Sequence, residues 1–185
     1  MFINNDVILP DTNPALRKKC EPVQLPLSEE DRETIMAMMQ YVRNSHDPEM
    51  QEKYNLRGAV GLAAPQIGVL KQMIAVGIPY DDDEDLEFAL VNPKIISNSV
   101  QQTYLKMGES CLSVLQDHEG YVKRYARITV KGYDALQDKE ITVRLTGYEA
   151  IVLQHEIDHL SGILYYDHIN KNNPFTPITN AVVIE

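Results

Sequence analysis

The stretch TGYEAIVLQHEIDHLSG, residues 146–162, limits what this chain can be more than any other. His155 and His159 are four residues apart, and a helix stacks such side chains on one face. Thr146 and Glu149 form a Thr-x-x-Glu capping box ahead of an apolar run. Gly162 suits the position just past a helix end. Together these signals predict a helix over about 147–161. Its AIVLQ turn is apolar nearly all round, so most of its sides should be buried. Glu156 falls about 60° from His159 around the axis, beside the histidine face rather than on it. His-Glu-x-x-His places two imidazoles on an ion and a carboxylate where it takes a proton from the water held there. An exposed polar face is the competing reading, and the apolar turn before it weighs against that.

Two histidines do not complete a catalytic site, which takes three protein ligands and keeps one position open. The metalloprotease pattern His-Glu-x-x-His-x-x-Gly-x-x-His matches through Gly162 and then meets Tyr165 where the third histidine belongs. The sole glutamate after His159 is Glu185, the last residue, and Asp167 and His168 follow the helix end closely. The third ligand is therefore expected upstream. Cys111, in MGESCLSV, is the best candidate, because a thiolate binds divalent transition metals strongly; an unliganded buried thiol is the alternative. Cys20, in the basic stretch RKKC, is less well placed. A structural metal without turnover would need a fourth ligand, with His118 or His168 the natural choices. Otherwise both are surface or hydrogen-bonded histidines.

The chain has 185 residues, which fits one domain, 1–185. A net charge of -10 argues against a nucleic-acid substrate. Two cysteines are too few for a disulfide framework, MFINNDVILPDTNP lacks a basic region followed by an apolar run, and no apolar stretch reaches bilayer length. A cytoplasmic protein away from membranes is expected. Asn13-Pro14 opens a short helix through ALRKKC, Ser28 caps a second one with Asp31 three residues on, and Asp47-Pro48 starts a third. Ile35, Met39 and Val42 form the apolar stripe of the second, with Met36 and Met38 widening it. RGAVGLAAPQIG, 57–68, reads as a buried glycine-rich loop that permits close approach to a ligand. β-like runs follow at 72–78, 87–93, 94–105, 120–135 and 140–145, with Asn92-Pro93 as a turn signal. The acidic run DDDEDLE, 81–87, reads as a solvated hairpin tip. Helices first, strands next and one late helix point to an α+β fold rather than alternating βαβ units.

Three stretches, GLAAPQIG (61–68), ESCLSV (109–114) and QHEIDHLSG (154–162), resemble the three motifs of bacterial peptide deformylases, in order. YVRNSHDPEMQEKYNLR (41–57) and the ending YYDHINKNNPF are similar to the longer deformylases of Gram-positive bacteria, so the resemblance covers nearly the whole chain. It implies a metal-dependent hydrolase that removes the N-formyl group from formyl-methionine at the start of new polypeptides. The implied fold is α+β, with mixed or antiparallel β-sheets packed around a central metal-binding helix. The resemblance assigns the metal to Cys111, His155 and His159 and makes Glu156 the general base. Gln66 and the backbone N–H of Leu112 would stabilise the oxyanion, Gly61 would meet the substrate backbone, and an unbranched apolar pocket would take the methionine side chain. The implied cofactor is one divalent transition metal, Fe(II) in cells, with zinc, nickel or cobalt accepted. Formyl-Met nascent peptides are the implied partners, with a transient ribosome contact. The ending ITNAVVIE reads as a strand, so that contact is not expected through a basic C-terminal helix.

One residue departs from the family pattern. The second motif is usually Glu-Gly-Cys, and here Ser110, on the substrate side, replaces the glycine. A position that needs φ > 0 would cost serine about 1 kcal/mol or more. A position that needs close backbone approach would change activity or substrate choice. A divergent deformylase-like protein with reduced activity, and a metallopeptidase, are the alternatives to a full deformylase.

Overall fold

The computed structural model describes residues 1–81 and 84–185. Helix α1, Glu29–Asn44, starts where Ser28 accepts a hydrogen bond from the Asp31 N–H at 3.1 Å. Its stripe buries Ile35, Met38, Met39 and Val42, whereas Met36 turns out to the surface. Helix α2, Pro48–Tyr54, is short and is capped by Asp47. The expected helix through ALRKKC is one 3-10 stretch, Pro14–Arg17, capped by Asn13.

Eight strands follow among the described residues. They are β1 (Gly61–Ala63), β2 (Met73–Ile78), β3 (Leu86–Asn98), β4 (Gln102–Leu105), β5 (Arg124–Tyr125), β6 (Arg127–Asp134), β7 (Lys139–Thr146) and, after helix α3 (Gly147–His159), β8 (Ala181–Ile184). Among the described residues they form an antiparallel sheet in the order β1-β2-β3-β6-β7, and a mixed sheet β5-β4-β8 in which β4 and β8 run parallel. Strand β8 agrees with the strand reading of the C-terminal segment.

The position of α3 follows from alternation along β2 and β3. Met73, Ala75, Ala89 and Val91 face α1, while Ile74, Val76, Phe88 and Leu90 face α3. A strand covered on both sides loses the polar alternation of a half-exposed strand, and every residue of β2 is buried. The other side of α3 meets the small sheet, where the Gln154 amide exchanges two 2.9 Å hydrogen bonds with the backbone of Tyr125. The helix therefore lies between two sheets, as an apolar turn on all sides requires.

Several local expectations change. Asn92-Pro93 is not a turn: β3 runs through it as a bulge, with Asn92 at φ 51 and its amide bonded to both backbone groups of Val23 at 2.8 Å. Part of the glycine-rich 57–68 segment is strand β1, followed by a 3-10 turn at Ala64–Ile67. The Thr146–Glu149 capping box does not form. Thr146 ends β7 and makes no side-chain cap, Gly147 turns the chain at φ 59, and Glu149 instead accepts from the Tyr80 hydroxyl at 2.6 Å. Leu86 and Glu87 of the acidic run belong to β3, while Asp82 and Asp83 lie outside the described residues. No helix of the described residues is long and apolar enough to cross a membrane.

Candidate active site

Helix α3 carries both histidines at the spacing that sets them on one face. The turn after it closes at Gly162, φ 71, where a side chain would have met the backbone oxygen of Arg17 at 2.5 Å. Cys111 arrives from the loop between β4 and β5. Its Sγ lies 3.4 Å from His159 Nε2, and the ligand atoms of Cys111, His155 and His159 all lie within 4.8 Å of one another. Among the described residues no fourth such group joins them. The alternative ligands are engaged elsewhere: His118 stacks on Tyr166 with centroids 4.1 Å apart, and His168 Nε2 sits 2.7 Å from Asp158. Tyr165, at the metalloprotease third-histidine position, stacks on His155 and accepts from the His118 N–H at 3.0 Å. Cys20 is buried in the apolar core, and burial pushes its thiol up to about 11.

Behind the ligands stands a charge chain, buried at Glu109 and Arg124, that the sequence did not reveal. Glu109 accepts from Arg124 through two bonds, 2.9 and 2.8 Å, and lies 2.8 Å from His155 Nδ1. Arg124 also donates to Asp158 at 2.6 Å, and Asp158 meets His168. A carboxylate on one ring nitrogen fixes the tautomer and orientation of a ligand histidine, leaving Nε2 of His155 for an ion. Burial alone would raise the Glu109 pKa, but its bonds to Arg124 and His155 outweigh it and bring the carboxyl down to about 2. Asp158 inside the HEIDH motif was the available signal: a charge on an otherwise buried helix needs a partner.

The remaining expected residues line one open cleft of about 880 Å³, together with Cys111 and His155. Glu156 is buried, and burial raises its pKa to about 7. Its carboxylate lies across Gly61, where a Cβ would stand 2.6 Å from its Cδ, so a residue larger than glycine would displace it. Gln66 Oε1 accepts from the Ala63 N–H at 2.9 Å, which turns its amide nitrogen to Ser113 Oγ at 3.1 Å and Cys111 Sγ at 3.4 Å. Arg57 reaches across from the β1 side and donates to the Leu112 carbonyl. Val60 accepts from the Gly77 N–H at 2.9 Å, and Gly61 pairs with Val76 in the same register. Antiparallel pairs alternate, so Gly61 sits at a non-hydrogen-bonded position and its own N–H and C=O point away from β2. Ser110 is exposed on the cleft wall, and its φ is not positive. Of the two alternatives for this replacement, left-handed strain is therefore absent.

Among the described residues, two buried side-chain polar atoms have no hydrogen-bond partner, Glu156 Oε2 and His159 Nδ1. Buried polar atoms are normally paired, and both belong to this cluster. One thiolate and two imidazoles, with the second nitrogen of His155 already held, suit a borderline-soft divalent transition metal. The residues fit such an ion.

The polypeptide deformylase family model matches residues 6–175. The chain belongs to the polypeptide deformylase family. It is 55% identical to peptide deformylase 2 of Bacillus cereus over 185 residues and 50% identical to that of Bacillus subtilis over 184, covering 100% of both chains in each case. A crystal structure of peptide deformylase from Ehrlichia chaffeensis superposes with a TM-score of 0.72 at 27% identity, over 93% of this chain and 90% of that one. Membership makes the chain a metal-dependent hydrolase that removes N-formyl groups, with the Cys111, His155 and His159 triad as its metal site. The expected α+β fold around the histidine helix is the one observed.

Proposed function

We propose that this chain, as one catalytic domain in the cytoplasm, removes the formyl group from formyl-methionine at the N-terminus of nascent polypeptides. The observation that carries the reading is the three-ligand cluster beside Glu156, whose buried Oε2 has no hydrogen-bond partner. Cys111, His155 and His159 hold one divalent ion, Fe(II) in the cell, in a site that also suits zinc, nickel or cobalt. When bound, the ion supplies Lewis acidity and lowers the pKa of a water.

This chain's own residues account for the rest. Glu156, with a pKa near 7, accepts a proton from the attacking water and returns it to the methionine nitrogen as the C–N bond breaks. The products are formate and a free amine. The Gln66 amide and the Leu112 N–H donate to the oxygen on which charge develops, and donors fixed in advance need no reorganisation. Gln66 is so fixed, because Ala63 holds its other end. The free N–H and C=O of Gly61 pair with the substrate backbone as an added strand would. Ser110 contacts the substrate on the opposite wall, and the side chains of Ile151 and Val152 offer apolar surface to the methionine. The segment 181–184 forms β8, so the ribosome contact implied by the resemblance is not proposed through it.

The test is incubation of anaerobically prepared protein with formyl-Met-Ala-Ser, with formate release and metal content read from the same sample. Formate release with about one ion per chain is expected. An inert, metal-loaded sample would sink the reading, and cleavage of blocked internal peptides would favour a metallopeptidase.

A further inference from the structure

Ala59, two residues before the Gly61 edge, has both backbone groups held by the side chains of the two residues that follow α1. Its N–H donates to Ser45 Oγ at 3.1 Å, and its C=O accepts from His46 Nε2 at 2.9 Å. A carbonyl can only accept, so the His46 proton is on Nε2. Ser45 is fully buried, and its own proton can go to Val42 O at 2.7 Å or to Ala59 O at 3.1 Å. Arg57 is held in the same fashion, its N–H donating to Asn5 Oδ1 at 3.2 Å and its C=O accepting from the Tyr41 hydroxyl at 3.1 Å. Val60 completes the run through Gly77. Irregular segments that lead into a site are ordinarily among the more mobile parts of a fold. Here the side chains of Asn5, Tyr41, Ser45 and His46 stand in for a neighbouring strand at Arg57 and Ala59, Val60 pairs with β2, and the backbone groups of Gly61 point away from β2.

We propose that Ser45 and His46 are positioning residues for substrate binding: through Ala59 they hold the segment that sets the Gly61 edge against the substrate backbone. The inference rests on the reading of Gly61 as the substrate's pairing partner. Cys111, His155, Glu156 and His159 lie on other segments, and Gln66, which follows β1, is held by its own bond from Ala63, so loss of either side chain weakens substrate binding rather than the chemical step. The effect grows with the length of substrate that pairs along the edge.

Steady-state kinetics of metal-loaded Ser45→Ala, His46→Ala and His46→Gln test this with formyl-Met-Ala-Ser and with formyl-methionine. Both alanine variants should raise KM for the tripeptide about three- to tenfold, the size of one lost hydrogen bond, with kcat within about twofold. KM for formyl-methionine should stay within about twofold, because it lacks the following residues that pair along an edge. His46→Gln, whose amide can donate to the same carbonyl, should restore tripeptide binding. If the buried Ser45→Ala fails to fold, the half-buried His46→Ala and its glutamine rescue decide the matter. An unchanged tripeptide KM, an equal rise for both substrates, or a loss confined to kcat overturns the proposal. Wild-type protein that releases no formate from either substrate overturns the deformylase reading itself, and the proposal with it.

Discussion

Three carboxylates stand around one helix, and the fold treats them in opposite ways. Glu109 and Asp158 are tied to Arg124, and each also meets a histidine. Glu156 is as buried as the Glu109 side chain but has one oxygen without a partner. Arg124 pulls the Glu109 carboxyl down to about 2, and burial lifts Glu156 to about 7. A satisfied carboxylate is locked as an anion and orients His155. A bare one exchanges its proton near neutrality. The difference between holding a site and working in it is thus a difference in pairing, since both residues are glutamates in the same interior.

The largest effect should come from the bare member. Glu156→Gln keeps size and removes the base, so deformylation should fall about 10²- to 10⁴-fold, with metal content unchanged in the same preparation. Activity within tenfold of wild type would show that pairing state does not separate the two glutamates. On the paired side, Arg124→Met leaves the Glu109 charge buried without its main partner. Breaking a buried pair costs about 3–5 kcal/mol, readable in urea unfolding. Disturbing a carboxylate behind a ligand histidine weakens metal binding about 10- to 100-fold, readable by competition with a chelator. A stable variant with wild-type affinity would reduce the charge chain to decoration.

The contrast was only half legible in the sequence. His155, Glu156 and His159 announce themselves because a helix converts spacing into a face, and the three-motif resemblance supplies Cys111 from 44 positions before His155. Arg124 and Glu109 carry no such mark: their pairing depends on how the loop after β4 meets β5 beneath α3. Strand β1 was missed because Gly-Leu-Ala lacks β-branched residues, and its identity comes from pairing with β2 rather than from propensity. Asn92-Pro93 misled for a related reason, since an asparagine that tolerates φ > 0 serves a bulge inside a strand as well as a turn. Sandwiching by α1 and α3, on the other hand, was written into the unbroken apolar run of β2.

A pH series would sharpen the comparison, because the two glutamates predict slopes of opposite sign in chelator-treated protein. Glu109 has a folded pKa below its usual 4.5, so its stabilising contribution is complete above about 4.5 and is lost as pH falls toward about 2. Glu156 has a folded pKa above 4.5, so the folded state loses stability as pH rises from about 4.5 toward about 7. His155 and His159, shifted in opposite directions, also titrate on the upper side, so Glu156 is read as a difference: the wild-type urea midpoint should fall relative to that of Glu156→Gln between about pH 4.5 and about 7. A midpoint that falls on the upper side as steeply in Glu156→Gln as in wild type would remove Glu156 as its cause.

The smallest effect is expected where the sequence departs from its family, at Ser110. A glycine preference beside the metal cysteine suggests a left-handed backbone, and a serine forced into one would store strain. The backbone does not bear this out. Among the described residues, the non-glycine positions with positive φ are Asn55, Asn92, Asp138 and Asn180, and Ser110 is not among them. It is exposed on the wall of the cleft that Glu156 also lines. Ser110→Gly therefore relieves nothing, and added freedom of the unfolded chain should lower stability by less than about 1 kcal/mol. Deformylation of formyl-Met-Ala-Ser should stay within about threefold, in keeping with a surface change. A gain of more than about 1 kcal/mol would reveal strain after all. A rise in activity of tenfold or more would mean that the hydroxyl obstructs the substrate, and that this chain is a slower member of its family by the change of one side chain.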